Sequence, residues 1–194
     1  MDVTKILEAD HRQAEDLFAK IEKADGAARQ PLIDELTTAL RGHMELEEQV
    51  VYPAMQPVVG DDAVTEADTE HELARKGLED VERLGPDEPG FGAALDAMKA
   101  GIEHHVDEEE TEVFPKLRKD GDPTLAEMAS PFMQKRLELG LPMTADALSD
   151  ASTKDELLDE ATSAGVDGAA SMSKAELASA LAAVMAPPSG SRNA

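Results

Sequence analysis

The chain has no cysteine, no tryptophan, one tyrosine and four phenylalanines among its 194 residues. Without thiols, disulfides, thiol catalysis, iron–sulfur clusters and zinc fingers are excluded together. A cysteine-free chain also agrees with a cytoplasmic setting, which we expect. So few aromatics leave little stacking surface for single-stranded nucleic acid. Positive charge is scarce too. Lys and Arg number 18 against 42 Asp and Glu, a formal net charge of −24. The first 120 residues hold 13 basic and 31 acidic residues, and the rest hold 5 and 11. Neither part offers the basic face that captures nucleic acid, so such a partner is disfavoured. The same charge repels anionic membranes and concentrates cations. No apolar run approaches the roughly 20 residues of a membrane span, and no basic-then-apolar leader opens the chain. No membrane association is therefore expected.

Histidine is scarce as well, but it is placed with a pattern. Four of the five histidines fall in a duplicated arrangement. His43, Glu47, Glu48, Tyr52 and Pro53 superpose on His105, Glu109, Glu110, Phe114 and Pro115 with one offset of 62. Asp10-His11 superposes on Glu70-His71 with an offset of 60, which also aligns Ala14 with Ala74, Phe18 with Leu78 and Ile21 with Val81. The chain thus repeats a His helix followed by a His-x-x-x-Glu helix. Residues four apart on a helix share one face, about one turn apart.

Apolar periodicity predicts helices over about 2–24, 31–56, 63–84 and 91–119. Asp25-Gly26, Val58–Asp62 and Gly85–Gly90 separate them. Pro53 and Pro115 are expected to kink or end their helices. Four helices joined by short turns predict an all-α fold, an antiparallel up-down four-helix bundle. We expect this bundle over 1–122 and a fifth helix and linker over 123–142, with Pro131 bending or splitting the helix. A small helical module is expected over 143–186, with a disordered tail at 187–194. Within the module, Thr153-x-x-Glu156 and Ser173-x-x-Glu176 are two capping boxes.

Each His sits near the middle of an apolar stripe, and so do Glu47 and Glu109. A buried carboxylate costs several kcal/mol unless something compensates it, and a metal cation does so. Imidazole and carboxylate without thiolate suit iron, manganese or zinc. A carboxylate bridges two ions through its two oxygens, which a histidine does not. Two Glu and four His therefore predict a dinuclear site, with His11 and His43 on one ion and His71 and His105 on the other. His104 is expected to flank the site, because its face carries Ala97, Gly101 and Thr111 while the His105 face carries Met98, Ile102 and Val113. Glu112 is read as an exposed acid or as a proton donor or third carboxylate, and Glu15 is similarly open. Ala39 and Gly101 are small enough to leave room for an imidazole. Tyr52 is expected at the edge of the core, like Phe114, with a role beside the metal as the alternative.

The order His, His-x-x-x-Glu, His, His-x-x-x-Glu over residues 2–120 resembles the hemerythrin-like, or HHE cation-binding, family. The resemblance implies a four-helix bundle around a non-haem di-iron centre of two iron ions, with an oxo bridge as one option. It implies His11, His43, Glu47, His71, His105 and Glu109 as the metal ligands. No catalytic residue is assigned. The chain departs from oxygen-carrying hemerythrins: Arg75 stands where those have a further His, and Glu109 lies four residues after its His, where those have an Asp five residues on. Fewer His ligands leave both ions open, which disfavours stable oxygen carriage. The expected function is binding, sensing or detoxifying O2, NO or peroxide. Two alternatives are a metal-controlled regulator signalling through the C-terminal module and a peroxide-decomposing, catalase-like enzyme. Residues 153–181 resemble helix–extended-loop–helix modules of the Rho N-terminal or SAP type. Three basic residues against eight acids over 145–194 favour a protein partner there over DNA.

Overall fold

The computed structural model describes residues 1–186, the side chains of residues 122 and 123 excepted. The tail expected at 187–194 lies outside the described residues. Helix α1 (Val3–Lys23) starts where the Asp2 carboxylate accepts the Thr4 amide at 3.1 Å. Such a cap satisfies one of the amides that a helix start leaves free. Helix α2 (Arg29–Leu46) continues through a wide turn, Glu47–Val51, into α3 (Tyr52–Val59). Helix α4 (Asp61–Leu84) is bracketed by Gly60 and Gly85, both at positive φ, where a side chain would be strained. Helix α5 (Phe91–Glu108) passes through a second wide turn, Glu109–Val113, into α6 (Phe114–Asp120). These segments form the expected up-down bundle, with α1 packed most extensively on α2 and α4 on α5.

The wide turns are the main departure from the expected helices. The amide of Tyr52 bonds to the carbonyl of Glu47, and that of Phe114 to Glu109, five residues back rather than four. Pro53 and Pro115 stand immediately after. A proline has no N–H for the ladder, and its ring collides with the carbonyl four residues earlier. The backbone widens there instead of ending, and each helix runs on. One extra residue rotates the register. Val51 is fully buried while Val50 is only half-buried, and Phe114 is buried where Val113 was expected to face inward. Pro57 and Pro131 likewise sit inside helices without ending or splitting them.

The fifth helix, α7 (Asp122–Leu139), ends at Gly140 in the left-handed region. Three short helices follow: α8 (Ala145–Ala151), α9 (Lys154–Ser163) and α10 (Lys174–Val184). Both capping boxes form as expected, whereas α8 was not foreseen.

The apolar core is two clusters, and the chain changes cluster at the histidines. Ala14, Phe18, Leu36, Leu40, Leu78 and Ile102 belong to one. Val3, Leu7, Leu46, Val51, Ala67 and Phe114 belong to the other. Along α1 the switch falls between Leu7 and Ala14, around His11; along α2 it falls around His43. The second cluster also crosses the boundary expected after residue 122. It takes in Met128, Phe132, Leu148, Leu157 and Leu177, and the Asp2 amide bonds to the Ala151 carbonyl at 2.6 Å. Helices α7 and α8 thus pack on α1 and bury one end of the bundle.

Candidate metal centre

Between the two clusters lies a layer of buried polar side chains. His11, His43, Glu47, His71, His105 and Glu109 are all 7% exposed or less. Each of the four histidines turns Nε2 inward. Nε2 of His11 lies 3.3 Å from that of His43, and Nε2 of His71 lies 3.2 Å from that of His105. Glu47 Oε2 lies 3.2 Å from His43 and 3.3 Å from His71. Glu109 Oε2 lies 3.4 Å from His11 and 3.7 Å from His105. The structure thus forms two His pairs with a carboxylate reaching from one to the other on each side.

All four carboxylate oxygens of Glu47 and Glu109 are buried without a hydrogen-bond partner. Orphaned buried carboxylate oxygens are costly, and a bound cation would satisfy them. Burial and the nearby Glu109 push the Glu47 carboxyl up to about 7. Burial opposes the charged form of Glu109 too, but His105, His11 and His43 hold it low. Burial works against His11 as a cation, yet Glu109 and Glu110 raise it to about 10. The six side chains therefore fit one or two metal cations. Ligand atoms of His11, His43, Glu47 and Glu109 lie within 4.8 Å of one another, and so do those of Glu47, His71 and His105.

The outer nitrogen of each histidine is held by another carboxylate. Nδ1 of His11 donates to Glu110 at 2.8 Å and Nδ1 of His71 to Glu48 at 2.9 Å. Nδ1 of His43 donates to Asp10 at 3.4 Å and Nδ1 of His105 to Glu70 at 2.8 Å. A proton held on Nδ1 leaves the Nε2 lone pair free for a cation and fixes the ring. These four acids stand within the sequence repeat, which alone assigns them no role. Their signal was there: they obey the same two offsets as the histidines. What the repeat does not carry is the next layer. Arg136 of α7 forks onto Asp10 at 2.5 and 2.9 Å, Arg75 lies on Glu48 at 2.6 Å, and Arg12 on Glu110 at 2.5 Å. The exposed His104 stands 3.5 Å from Glu70. Each outer acid is thereby matched by a cation or an imidazole.

Two aromatic rings flank the layer. Phe114 stacks on His11 at 6.0 Å, and its repeat partner Tyr52 stacks on His71 at 5.4 Å. Tyr52 is 2% exposed, and its hydroxyl lies 3.1 Å from His71 Nε2. It belongs to the centre, not to the core edge. Because the hydroxyl has no counterpart on Phe114, the two halves of the site are inequivalent. Burial, together with Glu47 and Glu109, raises that phenol well above its ordinary value and keeps it protonated.

A cavity of about 50 Å³ borders the four histidines. Its remaining walls are mostly apolar, from Ala14, Leu40, Ala74, Ile102 and Leu141 among others. That is room for one or two water-sized molecules. Ala39 and Gly101 line this cavity, so their small size opens space here instead of seating an imidazole. A Cβ added at Gly101 would meet nothing within 4 Å. Glu112 and Glu15 are exposed and lie outside the buried layer.

An all-helical bundle with a buried His and Glu layer defines the class: a bundle built to hold a cation. The sequence model of the hemerythrin HHE cation-binding domain matches residues 2–117, and the chain belongs to that family. A crystal structure of a hemerythrin HHE cation-binding domain-containing protein from Mycobacterium kansasii resembles it with a TM-score of 0.60. That protein is 26% identical, over 70% of this chain and 88% of its own. An uncharacterized hemerythrin-like protein of Schizosaccharomyces pombe is 29% identical over 126 residues, 60% of this chain and 61% of that one. A DNA nickase of Nostoc sp. is 23% identical over 121 residues, 62% of this chain and 34% of that one. This chain spans less than two thirds of the length of either of those two relatives. Family and cluster together fit a metal-binding protein. Among the described residues, no helix is long and apolar enough to cross a membrane.

Proposed function

We propose that this is a non-haem di-iron protein that binds or reacts with a small molecule such as O2, NO or peroxide. His11 and His43 would hold one ion and His71 and His105 the other, with Glu47 and Glu109 bridging. The observation that carries this reading is the inward turn of four Nε2 atoms around four unpartnered carboxylate oxygens. When bound, the ions supply open coordination positions and redox chemistry. The chain's own residues do the rest. The outer acids orient the imidazoles, the apolar walls keep bulk water from the cavity, and Tyr52 offers a hydroxyl at one pole only. A cavity of about 50 Å³ favours ligands of two or three heavy atoms. The test is metal analysis of the purified protein, with optical spectra before and after peroxide. Less than one metal ion per chain after iron-supplemented expression would overturn the reading. Unchanged spectra would overturn its reactive part.

One observation favours a regulatory reading beside it. Arg136 ties α7 to Asp10 and through it to His43, so the C-terminal helices share a hydrogen-bond chain with the centre. Protease sensitivity of the C-terminal helices with and without iron tests this. Identical digestion patterns would exclude it.

A further inference from the structure

A second cavity approaches the centre from another side. It holds about 80 Å³ between α4 and the α5 side of the second wide turn. Glu66, Glu70, Glu108 and Glu112 line it, and it also takes in His105 and Glu109. No lysine or arginine is among its lining residues. Glu109 is 2% exposed, and both of its oxygens lack a partner. At the rim, His104, Glu70 and Glu108 present ligand atoms within 4.8 Å of one another. His104 Nε2 lies 3.5 Å from Glu70 and 3.4 Å from Glu108. A half-exposed cluster of potential ligands thus adjoins an unsatisfied buried carboxylate.

The other two openings suit a cation less well. The cleft of about 300 Å³ beside His11 contains Arg12, whose guanidinium covers Glu110 and Glu15. It reaches His11 on the Nδ1 side, which Glu110 already occupies. The cavity over the four histidines is mostly apolar, and of the two acids in its wall Asp10 is already paired with Arg136 and Glu70 with His105. Desolvating a dication along apolar walls is expensive, whereas carboxylates replace its water shell step by step.

We propose that the acidic cleft is the path by which a divalent cation reaches the centre. His104, Glu70 and Glu108 capture the ion at the rim, Glu66 and Glu112 hold the field that draws it in, and Glu109 and His105 receive it. Cation and small ligand then use different doors, one acidic and one apolar. The proposal rests on the metal-centre reading above.

The test is the rate at which the metal-free full-length chain takes up Co2+, followed in stopped flow by the visible absorption of the ion. Glu66→Gln with Glu112→Gln removes two charges from the cleft and touches none of the six central residues. Asp34→Asn with Glu35→Gln removes two exposed charges on α2, outside the cleft. The cleft variant should load at least about threefold more slowly than the α2 variant at low salt, with the same final absorbance. The difference should shrink as salt rises. Equal rates for the two variants would overturn the proposal. A lower final absorbance would also overturn it, since those acids would then be holding the bound ion. Glu112→Gln alone should move in the same direction and stands in where the double variant does not fold. Failure of the unmodified chain to take up any Co2+ would overturn the metal-centre reading itself.

Discussion

Glu47 reaches across the repeat to His71: its Oε2 lies 3.3 Å from His71 Nε2, nearly as close as the 3.2 Å to its own helical neighbour His43. Glu109 makes the reciprocal reach to His11, at 3.4 Å. Each carboxylate thus ties a histidine of its own helix to one from the other half of the repeat. We expect Glu47→Ala and Glu109→Ala each to reduce bound metal from about two ions per chain to one or fewer. His104→Ala should retain the full amount. Metal analysis after gel filtration checks this. Loss of metal in His104→Ala alone would show that the inward histidine has been misassigned.

Metal removal should change the pH dependence of stability. A carboxyl raised to about 7, as Glu47 is, contributes stability fully present below its ordinary 4.5 and lost as pH climbs through 7. His11, raised to about 10 from 6.5, acts in the same direction over a higher range. Asp10 is held at about 2, with burial outweighed by His43 and Arg136; its stability is lost only in acid. His71, lowered by its burial, gains stability as pH rises toward 6.5 and offsets part of the Glu47 loss there, so the metal-free protein should unfold at progressively lower temperature mainly from about pH 6.5 to about pH 8. The metal-loaded protein should gain over the same span, because binding requires Glu47 to lose its proton. Thermal melts of both forms across that range check the sign. Parallel curves would count against a carboxylate-bound ion.

Arg136 is 2% exposed and forks onto Asp10, which in turn holds His43. Its substitution by Met should destabilise the chain by about 3 kcal/mol, the scale for removing one partner of a buried ion pair. Lys should recover only part, since it keeps the charge and loses the fork. Urea unfolding measures both, and an unchanged midpoint for Arg136→Met would show that the pair contributes nothing.

A chain ending at residue 122 should aggregate or melt well below the full-length protein. Without α7 and α8, the surface formed by Val3, Ile6 and Leu7 loses Phe132, Met128 and Leu148 as cluster partners. Burial of each such side chain is worth roughly 1.5–3 kcal/mol. Circular dichroism melts of the two chains settle the matter. Equal midpoints would establish residues 1–122 as an independent unit.

Tyr52→Phe makes the two poles of the site alike, as Phe114 already is. The variant should lose no more than about 1 kcal/mol for its hydrogen bond and keep its metal content. Its optical spectrum with peroxide should differ from that of the unmodified chain. Identical spectra would reduce Tyr52 to a packing role.

The four bundle helices, their boundaries to within a few residues and the level of the polar layer were legible in the sequence. Those features depend on local periodicity, which relates residues near in the chain, and on the two offsets, which mark one unit repeated. The wide turns were half legible. Pro53 and Pro115 marked the place, but whether a helix stops or widens depends on what waits beyond, here the burial of Tyr52, Met55, Phe114 and Leu117. The four outer acids were present in the repeat, but an acid beside a histidine in a chain with 42 acids has no meaning until the ring's Nδ1 is seen to face it. Arg136 and the sharing of one apolar cluster by α1 and α8 were beyond reach. They join residues more than a hundred positions apart, and nothing periodic records such a contact. The sequence by itself thus determined which side chains lie at one level of a helical bundle. Only tertiary packing decided that they face one another, which nitrogen each ring presents, and which cavities border them, because these depend on which helix stands beside which.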